Sequence, residues 1–324
     1  MKSHVFKSIG VLFCSLCLIS TLVYGENKQR EEGFFLPKDL QMKPEDLNNA
    51  YNAAVAFPVG FSNCSAGYVS SDGYLLTAFH CLSAALRLDA KYTKHLAETA
   101  EVVVVPKEEV IGKKYADWRT DVRGTVVAAG LGYGQFDERL VDKFAPHVLK
   151  EIFDYIGKDW AVIKMDNVEN HACLPAAPAT PKEGDYSWAI GYPAETQRHV
   201  GEPTDNRTKL ISYGKVAHSA EESGFYKTLA PENRKITLDF WKGLVDVGEF
   251  FISDTDSQGG NSGSSVVNKD GQLIGILVQG LMPDQELSYQ KYHTYSTGVI
   301  DLQSVKRALG EETFKQYFTC TKTY

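Results

Sequence analysis

The apolar positions of this chain fall in short runs, many alternating with polar residues and most bounded by Gly, Pro, Asn or Asp. A period near two over so few residues predicts strands joined by turns, not long amphipathic helices. Runs of this kind lie at 55–57, 67–69, 74–76, 102–105, 123–127, 160–164, 186–190, 210–216, 236–240, 250–253, 265–267, 273–279 and 295–300. Between two of them, Ser70-Ser71-Asp72-Gly73 has the composition of a hairpin turn. Helical spacing is confined to a few places. Residues 44–54 are opened by Pro44, and 302–309 form a closing segment. Residues 136–156 place Leu140, Phe144, Val148, Ile152 and Phe153 on one face, and 82–97 read as helical or irregular. Many short strands with turn signals predict an all-β barrel or sandwich and argue against alternating βαβ units.

One apolar run is different. Residues 9–23 follow Lys2 and Lys7 and end at Val23-Tyr24-Gly25, the organisation of a signal peptide over 1–25. The competing reading, a membrane anchor, is disfavoured by the shortness of the run and its serines. Residues 26–54 are then a leader or N-terminal arm, and 55–324 hold the main domain. Loss of 1–25 leaves 32 basic against 41 acidic residues, a net charge of −9. An acidic surface gives no electrostatic footprint for nucleic acid. The expectation is a secreted or periplasmic monomer, with no nucleic-acid partner and no membrane anchor after cleavage.

Of six cysteines, Cys14 and Cys17 lie inside the signal. Cys64, Cys81, Cys173 and Cys320 remain, and in an oxidising compartment they predict two disulfides with three connectivities open. The histidines show no metal-binding intervals, so no metal or other cofactor is expected. Asp254-Thr255-Asp256 begins like a calcium loop, but Gln258 and Ser265 occupy its fifth and twelfth positions.

Three short motifs carry candidate chemistry. Gly259-Gly260-Asn261-Ser262-Gly263-Ser264 surrounds a serine with small residues, so a tight turn can present its hydroxyl. His80 ends the run Tyr74-Leu75-Leu76-Thr77-Ala78-Phe79, and Asp159 precedes Trp160-Ala161-Val162-Ile163. A serine needs a base to become a nucleophile, an imidazole can supply it, and a carboxylate can fix the imidazole tautomer. Taken singly, a glycine-rich turn, a packed histidine and a solvated aspartate are the commoner fates, and Asp154 competes with Asp159. Together they stand in the order His…Asp…Ser, each with an apolar strand beside it. Gly-x-Ser-x-Gly is absent because Ser264 replaces the last glycine, which disfavours an α/β-hydrolase.

In these motifs the chain resembles trypsin-like (chymotrypsin-fold) serine proteases, and with Ala189-Ile190-Gly191-Tyr192-Pro193 and Asn261 it is most similar to bacterial glutamyl-endopeptidase-like members. The resemblance implies two six-stranded antiparallel β-barrels, here with a helical insertion at about 83–156 and a C-terminal helix. It implies peptide hydrolysis through an acyl-enzyme on protein or peptide substrates. His80 would be the base, Asp159 its partner and Ser262 the nucleophile, with the N–H groups of Gly260 and Ser262 as oxyanion donors. A Cys64–Cys81 bridge beside the histidine is implied. Cys173–Cys320 then follows by elimination, against two free buried thiols. Asp256, Val278, Gln279 and Gly280 fall where the family lines its primary pocket. However, Gln258 replaces the pocket cysteine, and Leu277 stands where glutamyl-specific members carry histidine. Asn261 replaces the aspartate that pairs with a new N-terminal amine in animal zymogens, so the oxyanion loop is expected to form without that ion pair. A non-catalytic binding module on the same fold and an esterase-like acyl hydrolase are the alternatives.

Overall fold

A computed structural model of the chain describes residues 42–59, 62–85, 93–97, 100–105, 107, 110–116, 123–130, 132–133, 155–193, 209–217, 245, 249–255, 257, 259–281 and 296–320. Helix α1 (Pro44–Ala53) has its proline in the first turn together with Glu45 and Asp46, where negative charge suits the helix N-terminus. It buries Ala50 and Ala53 and leads directly into strand β1 (Ala54–Val59). Strands β2 (Ser62–Tyr68) and β3 (Tyr74–Thr77) form the hairpin expected around residues 70–73. There Ser70 Oγ accepts the Tyr74 N–H at 2.9 Å and ties the turn.

Next come α2 (Phe79–Ala85), β4 (Thr93–Ala97), β5 (Ala100–Val105), β6 (Lys114–Ala116), β7 (Arg123–Ala129), β8 (Gly132–Tyr133) and β9 (Ala161–Met165). An antiparallel six-stranded sheet runs β1-β2-β3-β9-β7-β6. The later elements are β10 (Tyr186–Gly191), β11 (Leu210–Ala217), β12 (Phe250–Ser253), β13 (Ser265–Val267), β14 (Leu273–Leu281), β15 (Ser296–Asp301), α3 (Leu302–Leu309) and α4 (Glu311–Tyr317). Their strands form a closed barrel, β10-β11-β12-β15-β14-β13, in which β13 pairs back onto β10. The fold is thus mostly β, with two six-stranded antiparallel units.

The two units differ at their ends. In the first sheet β1 and β6 are outermost in hydrogen bonding, yet Phe57 on β1 and Tyr115 on β6 stack with ring centroids 4.7 Å apart. Side chains close what the backbone leaves open.

Several boundaries differ from the sequence expectation. Residues 114–129 were expected within the insertion, but they form β6 and β7, and β7 pairs with β9 along 124–129. Alternation decides this: β7 is exposed at Arg123, then buries Gly124, Val126, Ala128 and Ala129. Strands β4, β5 and β8 form a separate three-stranded sheet, so 93–97 is strand where helix or irregular chain was expected. The helical span 136–156 lies outside the described residues except for its last two, and the strand at 236–240 lies wholly outside them. The second C-terminal helix, α4, was not anticipated.

Both disulfides are present as paired in the sequence reading, Cys64–Cys81 and Cys173–Cys320. The second joins the connection between the sheets to the chain's tail. Cys320 N–H also donates to Val69 O, and Tyr317 packs on Tyr74, so the tail returns to the first sheet.

Candidate active site

Strand pairing brings the histidine and the aspartate together. Thr77 pairs with Ala161, so the residues leaving β3 lie beside those entering β9. His80 sits in the first turn of α2, three residues beyond the end of β3, where the sequence reading placed it at the end of the strand. Asp159 is fully buried, and both its oxygens engage this one residue: Oδ1 accepts the His80 backbone N–H at 2.7 Å, and Oδ2 lies 2.6 Å from His80 Nδ1. Two contacts from one carboxylate fix both the backbone and the ring. The imidazole retains 30% side-chain exposure, so its outer edge reaches solvent.

Ser262 comes from the other unit, in the loop between β12 and β13. Its carbonyl accepts the Ser65 N–H at 2.7 Å and lies 3.7 Å from Cys81 Sγ, a disulfide sulfur with no proton to donate. The serine's backbone therefore rests against the residue that follows His80. Gly263 makes this seating possible. It has φ +83°, and a Cβ there would fall 2.1 Å from Ser65 O and 2.4 Å from Thr77 Oγ1. Only glycine meets both requirements.

The rest of the loop is held by neutral groups. Gly260 takes φ +100°, and its carbonyl accepts Ser65 Oγ–H at 2.8 Å. The carbonyl of the buried Asn261 accepts the Ser264 N–H at 2.8 Å, and Asn261 Oδ1 accepts Ser264 Oγ–H at 3.5 Å. Gly263 N–H donates to Leu277 O at 2.7 Å. Because a trans peptide points its N–H opposite to its C=O, tying the Asn261 carbonyl turns the Ser262 N–H away from Ser264.

Of the expected pocket residues, Val278 is buried and Gln279 and Gly280 are half-buried on β14. Gln279 faces Gly298 and Gly280 faces Thr297 on β15, with a register irregularity between Leu277 and Gln279. Asp256 and Gln258 lie outside the described residues, as does Asp154. Cys64, Cys81 and His80 bring metal-ligand atom types together, but the two sulfurs are bonded to each other and offer no thiolate.

Sequence reasoning missed three features. Ser65, fully buried, bridges the two units; its only sequence signal is its place beside Cys64. Ser187, Ser253, Thr255 and Thr297, all fully buried, are linked through Ser187–Ser253 Oγ···Oγ at 2.8 Å, Thr255–Thr297 Oγ1···Oγ1 at 2.7 Å and Thr255 N–H to Ser253 Oγ at 3.2 Å. Finally, the Lys209 ammonium lies 4.3 Å from the Tyr51 ring centroid and 5.5 Å from that of Tyr192, and donates to Tyr51 O. Burial lowers its pKa to about 8, and burial, reinforced by Tyr51, raises the Tyr192 phenol to about 12.

A family model described as a trypsin-like peptidase domain matches residues 64–276. No curated protein sequence matches the chain. Among solved structures, the chain is similar to a serine endoprotease of Yersinia pestis, with 16% identity and a TM-score of 0.42, over 87% of this chain and 68% of that one. It is also similar to the Rv3671c protein of M. tuberculosis in an inactive form, with 10% identity and a TM-score of 0.40, over 88% and 98%.

Proposed function

Since this chain belongs to the trypsin-like peptidase domain family, we propose that it is a serine endopeptidase that cleaves substrates through an acyl-enzyme on Ser262, with His80 as base and Asp159 as its orienting partner. The carrying observation is the double engagement of His80 by the buried Asp159 carboxylate. With Nδ1–H donating to Asp159, the proton-accepting lone pair belongs to Nε2. His80 takes the Ser262 proton as the hydroxyl attacks the scissile carbonyl, and Asp159 stabilises the imidazolium that forms. The N–H groups of Gly260 and Ser262 receive the oxyanion. His80 then returns the proton to the leaving amine, and water, activated by the same imidazole, releases the second product.

Val278, Gln279 and Gly280 line the primary pocket in this reading, and Asp256, by its place six residues before Ser262 in the sequence, is the carboxylate that would pair with a basic substrate side chain. Residues 1–25 direct export to a periplasmic or extracellular site, where two disulfides are chemically at home.

The test is labelling with a serine-reactive fluorophosphonate, followed by peptide mapping and assays on matched peptide and ester substrates. Label on Ser262, with peptide turnover lost in Ser262→Ala, is expected. Peptide turnover retained by that variant would refute the assignment. Ester turnover without peptide turnover would point to an acyl hydrolase, and neither activity to a binding module.

A further inference from the structure

We propose that Ser65 is the positioning residue of the oxyanion loop, a neutral lock built into the opposite unit of the fold. The inference rests on Ser262 being the nucleophile. Ser65 lies on β2 in the first sheet, is fully buried, and spends four polar contacts on site architecture. Its N–H holds the Ser262 carbonyl at 2.7 Å. Its hydroxyl donates to the Gly260 carbonyl at 2.8 Å and accepts the Tyr192 N–H at 2.9 Å. Its own carbonyl accepts Thr77 Oγ1–H at 2.8 Å, fixing it to the strand that delivers His80. One serine thus connects peptides 260–261 and 262–263, which flank the 261–262 peptide, to the residue following β10 and to β3.

The geometry gives this a chemical consequence. The oxyanion donors belong to peptides 259–260 and 261–262, whose orientation depends on the neighbouring peptides being fixed. Gly260 sits at φ +100°, and glycine samples several backbone wells at little cost, so its torsions need an external constraint. The Ser65 hydroxyl supplies one by anchoring the Gly260 carbonyl. The adjacent Asn261 has no carboxylate with which to recruit a buried cation. A neutral hydroxyl in a fully buried position performs the ordering that a charged amine would otherwise perform, without the desolvation of an ion.

The experiment compares the wild-type chain with Ser65→Ala, Ser65→Thr and Ser65→Val. Thr and Val have the same shape and differ in the hydroxyl, so any packing strain cancels between them. Each protein is assayed for kcat and KM on a peptide substrate, for inhibition by a peptide aldehyde that forms a tetrahedral oxyanion, and for binding of the corresponding product peptide. Ser65→Ala is expected to lose kcat by on the order of 10-fold or more, less than the roughly 10²–10³-fold that deleting an oxyanion donor costs. KM and product affinity stay near wild type, aldehyde affinity falls in parallel with kcat, and Thr exceeds Val in both by a similar factor. If Ser65→Ala does not fold, the Thr/Val pair decides alone. Equal kcat for Thr and Val, or a kcat loss without loss of aldehyde affinity, would overturn the proposal. Inactive Ser262→Ala beside fully active Ser65→Ala would sink this inference while leaving the nucleophile assignment standing.

Discussion

The two six-stranded units contribute unequally, and the inequality follows how each is closed. The C-terminal barrel is sealed by backbone hydrogen bonds from β13 to β10, and its interior is a separate apolar cluster around Phe251, Val266, Ile274, Leu277 and Val299. The N-terminal sheet is an open ladder drawn together by the Phe57–Tyr115 stack. Yet the open unit holds the more rigid chemistry: a fully buried carboxylate with two contacts to one histidine, next to a disulfide. The closed unit presents its serine on a glycine-rich loop that leans on the other unit for support. Global closure and local preorganisation are separate properties, and this fold places them in different halves.

The strongest way to test that separation is Asp159→Asn. We expect kcat to fall by about 10⁴-fold through the wrong imidazole tautomer, while the fold persists. Stopped assays together with circular dichroism check this, and an unfolded variant would mean that Asp159 is structural first.

The disulfides sharpen the contrast. Chain entropy assigns about 5 kcal/mol to Cys173–Cys320, which closes 147 residues, and about 3 kcal/mol to Cys64–Cys81, which closes 17. Double Ala variants at each pair, unfolded in urea, should follow that order in stability. Activity at a temperature where both are folded should follow the reverse order, because Cys64–Cys81 adjoins His80 and Ser65.

Closure itself is tested by Phe57→Ala against Phe251→Ala. Each should destabilise by about 3–5 kcal/mol. Hydrogen exchange distinguishes them: loss of Phe57 should expose β6 amides, whereas loss of Phe251 leaves the hydrogen-bonded seam of the barrel protected. Equal exchange at both would show that the first sheet does not depend on its ring stack.

The smallest effect concerns the contact between α1 and the residue following β10. Burial keeps Lys209 near pKa 8, below its ordinary 10.5, so between those values the unfolded chain binds more protons than the folded one. Stability should therefore rise as pH goes from 8 towards 10. Above 10 the raised Tyr192 acts in the opposite sense, since the folded phenol keeps its proton towards 12. Urea midpoints for wild type and Lys209→Met at pH 7.5 and 9.5 check the slope, which the variant should lack.

The parts legible in sequence are those where chemistry restricts residue choice locally. The tight turn at Ser262 needs small neighbours, and the burial of Asp159 needs the apolar strand beside it, so both local geometries are written over a few residues. Most strands were readable from alternation and turn residues for the same reason. Ser65 was not, because a serine in a strand becomes a lock only when β10 and the loop after β12 arrive from far along the chain. The role of β7 was hidden likewise: its place between β9 and β6 is decided by pairing, and propensity says nothing about partners. Helix α4 is short, and it is packing that sets its geometry, through Phe314 stacked on Phe318 at 4.1 Å.

The Cys173–Cys320 bridge carries one more consequence for an enzyme that cuts polypeptides. It turns residues 173–320 into a single covalent ring that holds every strand of the closed barrel and Ser262 itself. A nick at any one peptide bond inside the ring opens it but frees no fragment, so the loop that carries Ser262 stays tethered to the half that carries His80 and Asp159.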